Sequence, residues 1–138
     1  MQTRILARPL AAVVVLAAAA GLAAPGAALA ADPLGKQLFL ANCSACHKAD
    51  ASGVKGAFPA LAGDAFVEGP KANPVTRVLN GRGGMPSFKS DLSDDQIASI
   101  LPYVRSSFGN RAEAVSPADV AAVRKDGSAA APRGLQAH

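Results

Sequence analysis

The densest group of reactive side chains in the sequence is Cys43-Ser44-Ala45-Cys46-His47, and Cys43 and Cys46 are the only cysteines of the 138 residues. On a helix, positions i, i+3 and i+4 share one face, so two thiols and an imidazole in this spacing can address one flat object lying against that face. Three familiar uses of such residues fit poorly. A structural zinc site wants four ligands. Once an N-terminal segment is set aside, the chain offers only Cys43, Cys46, His47 and His138, with Cys46 and His47 adjacent. A redox dithiol is expected beside a βαβ pattern, which is missing, and has no need of the His. A plain disulfide explains the cysteines but not His47.

Covalently attached haem uses all three groups. The two vinyl groups of the porphyrin join Cys43 and Cys46 as thioethers, and His47 is directed at the iron as proximal ligand. Composition then narrows the second axial position. Beyond Met1 the sequence has one methionine, Met85, and one further histidine, His138, close to the C-terminal end. Met85 as a gap-filling core side chain is the plainer alternative, because thioethers pack irregular spaces well. Its neighbours favour the iron: Gly81, Gly83 and Gly84 allow close backbone approach, and Pro86 stiffens the residue after the sulfur. Gly-Arg-Gly-Gly is a weak match to a phosphate loop, since it follows a helical pattern and lacks the Lys-Ser/Thr ending.

The remainder of the chain must deliver and position these groups. Residues 1–30 hold 22 apolar positions, Arg4 and Arg8 form a short positive start, and Ala28-Leu29-Ala30 presents small residues at a cleavage point. This is the pattern of an export signal, with cleavage expected after Ala30. The uncharged run from Leu10 to Ala24 is shorter than the about 20 residues a membrane span requires, so no transmembrane anchor is expected after cleavage. Losing Arg4 and Arg8 leaves 12 basic against 10 acidic side chains, a net +2 in place of +4. Neither a basic tract nor interleaved aromatics points to nucleic acid. Three parts follow: a signal at 1–30, a haem domain at 31–110 and a C-terminal extension at 111–138 with a short helix and a loose tail.

The elements read as helices separated by turns. Asp32 and Pro33 open the first, on which Leu34 with Leu38 and Gly35 with Phe39 make i, i+4 pairs leading into Cys43. From Lys48 to Gly63 the chain is rich in Gly, Ala and Pro and reads as loop with at most short helical turns. Asn73-Pro74 begins a helix carrying Val75, Val78 and Leu79, closed by Asn80-Gly81. Ser93 and Gln96 form a capping box before the stripe Ile97, Ile100, Leu101, Val104 and Phe108. Ser116-Pro117 starts a last short helix through Val123. Nothing alternates with a strand period, so the fold class is all-α, with about three to five helices around the haem. All six aromatics lie between Phe39 and Phe108. A folded part from Leu34 to Phe108 is below the ~80 residues that usually sustain a core unaided, so the haem would also be structural.

In motif order the sequence resembles the class I bacterial c-type cytochromes. The resemblance rests on the Gly-x-x-x-Phe helix before CSACH, FPALAG at Phe58–Gly63, NGRGGMPSF at Asn80–Phe88 and LSDDQIASILPYVRSSFGN at Leu92–Asn110. With RAEAVSPADVAAVR after it, it is most similar to the haem domains that accompany periplasmic dehydrogenases. The resemblance implies that Gly35 and Phe39 pack against the helix around Leu101 and Tyr103, and that the Pro59 carbonyl accepts from Nδ1–H of His47. One departure is Pro102, inside the last helix of that pattern. It removes the bond to the Ala98 carbonyl at ~3 kcal/mol unless the helix bends.

The expected function is single-electron transfer in the periplasm, with no catalytic residues, because His47 and Met85 leave the iron no open position. The expected partners are redox proteins: a periplasmic dehydrogenase as donor, and an oxidase or another cytochrome as acceptor. The chief alternative is a tightly bound cytochrome subunit of a dehydrogenase complex. A haem sensor or weak peroxidase follows if Met85 is not bound, and a thiol or structural module if no haem is attached. Lys48, Lys55 and Lys89 offer local positive charge, interspersed with Asp50, Asp64 and Asp91; a solvated mixed surface explains them equally well. Arg77 or Arg82 is placed to pair with a haem propionate or to face solvent. The sequence assigns no role to Arg111–His138.

Overall fold

The computed structural model describes residues 33–126; the export segment with its expected cleavage after Ala30, Asp32, and the expected loose tail from Gly127 to His138 lie outside them. The elements in order are α1 (Pro33–Asn42), α2 (Ser44–His47), α3 (Ala65–Glu68), α4 (Ala72–Asn80), α5 (Asp94–Ser106) and α6 (Pro117–Asp126). Among the described residues there is no strand, only two isolated bridges at Val54–Phe58 and Arg82–Met85. The fold is all-α, and five of the six helices fall within 31–110. None of these helices is long and apolar enough to cross a membrane.

Helices α1 and α5 cross in direct backbone contact. Gly35 is buried, and only glycine fits there, since a Cβ would strike the Ser99 carbonyl and lie 2.9 Å from Cβ of Tyr103. One turn later Phe39, with 0% exposure, meets Tyr103 and Phe108 at ring-centroid distances of 5.7 and 5.6 Å. Aromatic contacts of this kind add roughly 0.5–1.5 kcal/mol each beyond their buried area. The Gly-x-x-x-Phe spacing therefore serves the crossing: the glycine admits the neighbouring backbone and the phenylalanine fills the space beside it.

Local signals set most helix ends. Ser93 and Gln96 make the full reciprocal box at the start of α5, with Ser93 Oγ accepting from the Gln96 amide at 3.2 Å and Gln96 Oε1 accepting from the Ser93 amide at 2.9 Å. Helix α5 runs through Pro102, and Ser106 Oγ donates to the Pro102 carbonyl at 2.8 Å. The predicted stripe is buried at Ile97, Ile100, Leu101 and Val104. Its last member, Phe108, lies beyond the helix at φ +58 and joins the Phe39–Tyr103 cluster from the following turn. Asp64 caps α3 by accepting from the Phe66 and Val67 amides. That helix was not anticipated: four residues are too few to show a period.

Residues 111–126 are packed onto the rest. Helix α6 lies against α4 and α5 with Val120 fully buried, and Val115 is 3% exposed. Ser116 and Asp119 cap it reciprocally, the Ser116 amide donating to Asp119 at 2.8 Å and Ser116 Oγ accepting from the Asp119 amide at 3.2 Å. Arg105, 2% exposed, closes the junction by donating to carbonyls of Val67, Gly69 and Glu113. Its charge is met by these carbonyl dipoles, with the carboxylates of Glu113 and Glu68 near enough to favour the charged form.

Candidate functional site

The CSACH segment sits at the join of α1 and α2. Cys43 occupies the break between them, at φ −118 and ψ −32, and its amide still bonds to the Phe39 carbonyl at 2.8 Å, so the helical path is nearly continuous. His47 ends α2 and is buried. The chain then reverses through Lys48 at φ +63 and returns so that the Pro59 carbonyl lies 2.9 Å from Nδ1 of His47. With Nδ1 engaged, Nε2 is the ring nitrogen left to address the cavity that His47 lines.

Gly53 holds this return in place. At φ +64, its amide donates to the His47 carbonyl at 3.0 Å. A Cβ there would stand 2.5 Å from the Phe58 oxygen and 2.6 Å from both the Pro59 carbonyl carbon and the Ala60 nitrogen. Only glycine allows the two backbone segments to lie this close. Sequence reasoning passed over Gly53 as one more loop glycine.

Met85 lies on the turn after α4. The Met85 and Arg82 backbones exchange bonds at 3.0 and 3.1 Å, making a tight reversal, and Gly81 at φ +65 passes directly against the Met85 and Pro86 backbone. The close approach expected of this glycine is thus made within its own loop. Downstream, Ser87 Oγ donates to the Leu79 carbonyl at 2.5 Å and the Phe88 amide to the Val78 carbonyl at 3.0 Å, fastening the loop to α4.

Cys43, His47 and Met85 all line one cavity of about 380 Å³, walled by the apolar side chains of Phe39, Leu61, Val67, Ile100, Leu101 and Val104. Such a volume is in the range of cofactor and ligand sites. Cys46 is half-buried one turn from Cys43 and is not on the cavity wall. Burial, and then the neighbouring Cys46, push the Cys43 thiol up to about 11, so at neutral pH it is an undissociated thiol. Arg77 reaches the wall and lies 4.8 Å above the Phe66 ring, whereas Arg82 is exposed. Burial, followed by Arg82, lowers the Arg77 value without removing its charge. Lys48, Lys55 and Lys89 are exposed, while Asp64 is committed to capping α3. The residues fit the group the motif implies: an apolar cavity, an imidazole with one nitrogen directed by a carbonyl, a thioether, and a neutral thiol beside them.

Comparison with known proteins bears this out at the level of family. The family described as "Cytochrome C oxidase, cbb3-type, subunit III" matches residues 30–104, and the chain belongs to it. It is 42% identical over 73 residues to cytochrome c6 of Leptolyngbya boryana, a match covering 51% of this chain and 85% of that protein. Over 107 residues it is 32% identical to the cytochrome c subunit of a quinone alcohol dehydrogenase from Gluconobacter oxydans, covering 68% of this chain and 22% of the other. It is also 33% identical over 117 residues to the gluconate 2-dehydrogenase cytochrome c subunit of Pantoea cypripedii, covering 72% and 26%. The chain thus spans about a quarter or less of the dehydrogenase subunits it matches. The chain is a c-type cytochrome, and its family implies one covalently bound haem c on it.

Proposed function

We propose that the chain is an exported carrier of single electrons, cleaved after Ala30, in which Cys43 and Cys46 hold the haem as thioethers and His47 and Met85 take the two axial positions. The observation that carries this reading is the convergence of Cys43, His47 and Met85 on one cavity, with Pro59 engaging the far nitrogen of the imidazole. Haem bound there supplies a one-electron couple at its iron. The chain's own residues do the rest. Pro59 fixes the orientation of the His47 ring and makes it a more basic donor. The Met85 sulfur would supply the second ligand to the iron, leaving no free position for oxygen or a substrate. The Phe39, Ile100, Leu101 and Val104 wall keeps water out, which disfavours the more highly charged ferric state and raises the potential along with the thioether. Arg77 offers a cation to a propionate.

The proposed donor is a dehydrogenase of small organic substrates, and the acceptor an oxidase or another cytochrome. Likeness to cytochrome subunits of alcohol and gluconate dehydrogenases supports the donor class. The same likeness favours a second reading, a subunit held permanently in such a complex. Stopped-flow reduction of the ferric holoprotein by a quinone-dependent alcohol dehydrogenase, with and without its alcohol, tests the first reading. Alcohol-dependent uptake of one electron per chain is expected. A holoprotein that stays ferric while an artificial dye is reduced contradicts it, and co-elution of the two proteins on gel filtration selects the second.

A further inference from the structure

Residues 111–126 contribute nothing to the cavity wall, yet besides the bonds of Arg111, Ala112 and Glu113 to Glu68 and Arg105 they are fastened to the body at two further places. One is the start of α4, where Lys71 Nζ meets Glu113 at 2.7 Å and Asp119 at 3.5 Å. The other is made by Arg124 on α6, and all three of its guanidinium nitrogens are used. Nε donates to Asp94 Oδ1 at 2.6 Å, Nη2 to the Leu92 carbonyl at 2.9 Å and Nη1 to the Lys89 carbonyl.

Where those acceptors lie is the telling point. Lys89, Leu92 and Asp94 belong to the strip of chain that leaves the Met85 turn and enters α5. The upstream end of the turn is tied to α4 through Gly81, whose amide bonds to the Arg77 carbonyl at 2.8 Å, and its exit begins with the Ser87 and Phe88 bonds to the same helix. The turn itself is bonded only across Arg82 and Met85. Downstream, the Asp91 and Leu92 amides bond to the Phe88 carbonyl at 3.1 and 3.0 Å and Leu92 is buried, and α6 adds a further restraint from outside this strip, through a planar donor group that fixes two carbonyls and a carboxylate in one geometry.

We propose that Arg124 is a positioning residue for Met85: by gripping Lys89, Leu92 and Asp94 from α6, it makes the C-terminal segment a strap that keeps the thioether loop closed on the haem. This rests on Met85 being the distal ligand. A thioether is a neutral and weak donor, so its occupancy of the iron depends on how strongly the loop is held in place. Releasing the strap frees two carbonyls to water and lets the loop sample open positions from which the sulfur is withdrawn. His47, fixed by Pro59 and by its attached neighbour Cys46, is not touched by α6.

The test uses the complete holoprotein and three variants, Arg124→Met, Arg124→Lys and Lys71→Met. Carbon monoxide binding to the ferrous form at neutral pH, the weak near-infrared band of sulfur-ligated ferric haem and the reduction potential are read together. Arg124→Met is expected to raise the fraction of carbon monoxide-accessible protein about tenfold and to lower the potential, in line with the loss of charge-assisted bonds. Arg124→Lys keeps the charge but cannot span the three acceptors, so it is expected to follow Arg124→Met in direction. Lys71→Met weakens the other attachment and is expected to lower the melting temperature while leaving all three haem readings unchanged. Wild-type resistance to carbon monoxide shared by both Arg124 variants overturns the positioning role, as does a Lys71→Met response equal to that of Arg124→Met. A wild-type ferric protein without the sulfur band overturns the Met85 assignment, and the strap with it.

Discussion

The two sides of the haem cavity are built in opposite ways. On the His47 side the proposed ligand is buried, sits next to Cys46, its proposed covalent anchor, in sequence, and is aimed by a carbonyl only 12 residues away. On the Met85 side the proposed ligand is half-buried on a glycine-rich turn whose flanks are held by contacts from α4 and, across 30 to 35 residues, from α6. An imidazole adjacent in sequence to the proposed thioether needs only orientation. A thioether needs confinement, and confinement takes more of the chain.

The contrast predicts opposite electrical responses. Met85→Ala removes the ligand that favours ferrous iron, so the potential should fall by about 100 mV or more, within the ~0.8 V that axial ligation commands. Potentiometric titration of the variant checks it. Gly53→Ala works on the other side. A methyl group there meets Phe58 and Ala60 backbone atoms and sits at φ +64, so a loss of about 2–3 kcal/mol is expected from strain and overpacking. By moving the Pro59 carbonyl off His47 it makes the imidazole a poorer donor, and the potential should rise. Urea unfolding and the same titration read both effects; a fall in potential would show that Pro59 does not tune His47.

Much of the His47 side could be read before the structure, because its parts are neighbours in sequence. Cys43 to His47 announce themselves by spacing, and the α5 stripe and capping box follow from local pattern. The Met85 side yields less. Met85 itself stands out by being alone, but its restraints do not. Arg105 and Arg124 look like ordinary surface cations, and nothing local tells that one is 2% exposed among three carbonyls or that the other spans α6 to the exit of the Met85 turn. Phe108 was drawn onto the α5 stripe by its spacing, whereas a turn at φ +58 carries it. The Ser116/Asp119 box and the Val120, Val123 pair were the available signs that residues after 110 are packed.

Smaller effects sharpen the same contrast. Ser87→Ala removes the bond to the Leu79 carbonyl and should cost about 0.5–1.5 kcal/mol, with the haem spectrum changing on the Met85 side only; nuclear magnetic resonance of the ligand methyl protons would show it. The smallest effect concerns pH. Bonds from Ser116, and then Lys71, hold Asp119 below the usual carboxylate range, while Glu113 and then Asp119 hold Lys71 above the usual ammonium range. Stability from Asp119 is complete above about pH 4 and is lost as pH falls through its lowered value. Stability from Lys71 is complete below about pH 10 and is lost as pH rises through its raised value. Thermal melting against pH should show shallow losses at both ends, and Lys71→Met should remove the alkaline one.

The central claim is that His47 and Met85 together leave the iron no open position. Carbon monoxide added to the reduced full-length holoprotein at neutral pH tests it directly. The account predicts no spectral change in the wild type and prompt formation of a carbon monoxide complex in Met85→Ala. Prompt binding by the wild type, or a Met85→Ala protein that stays closed, would contradict it.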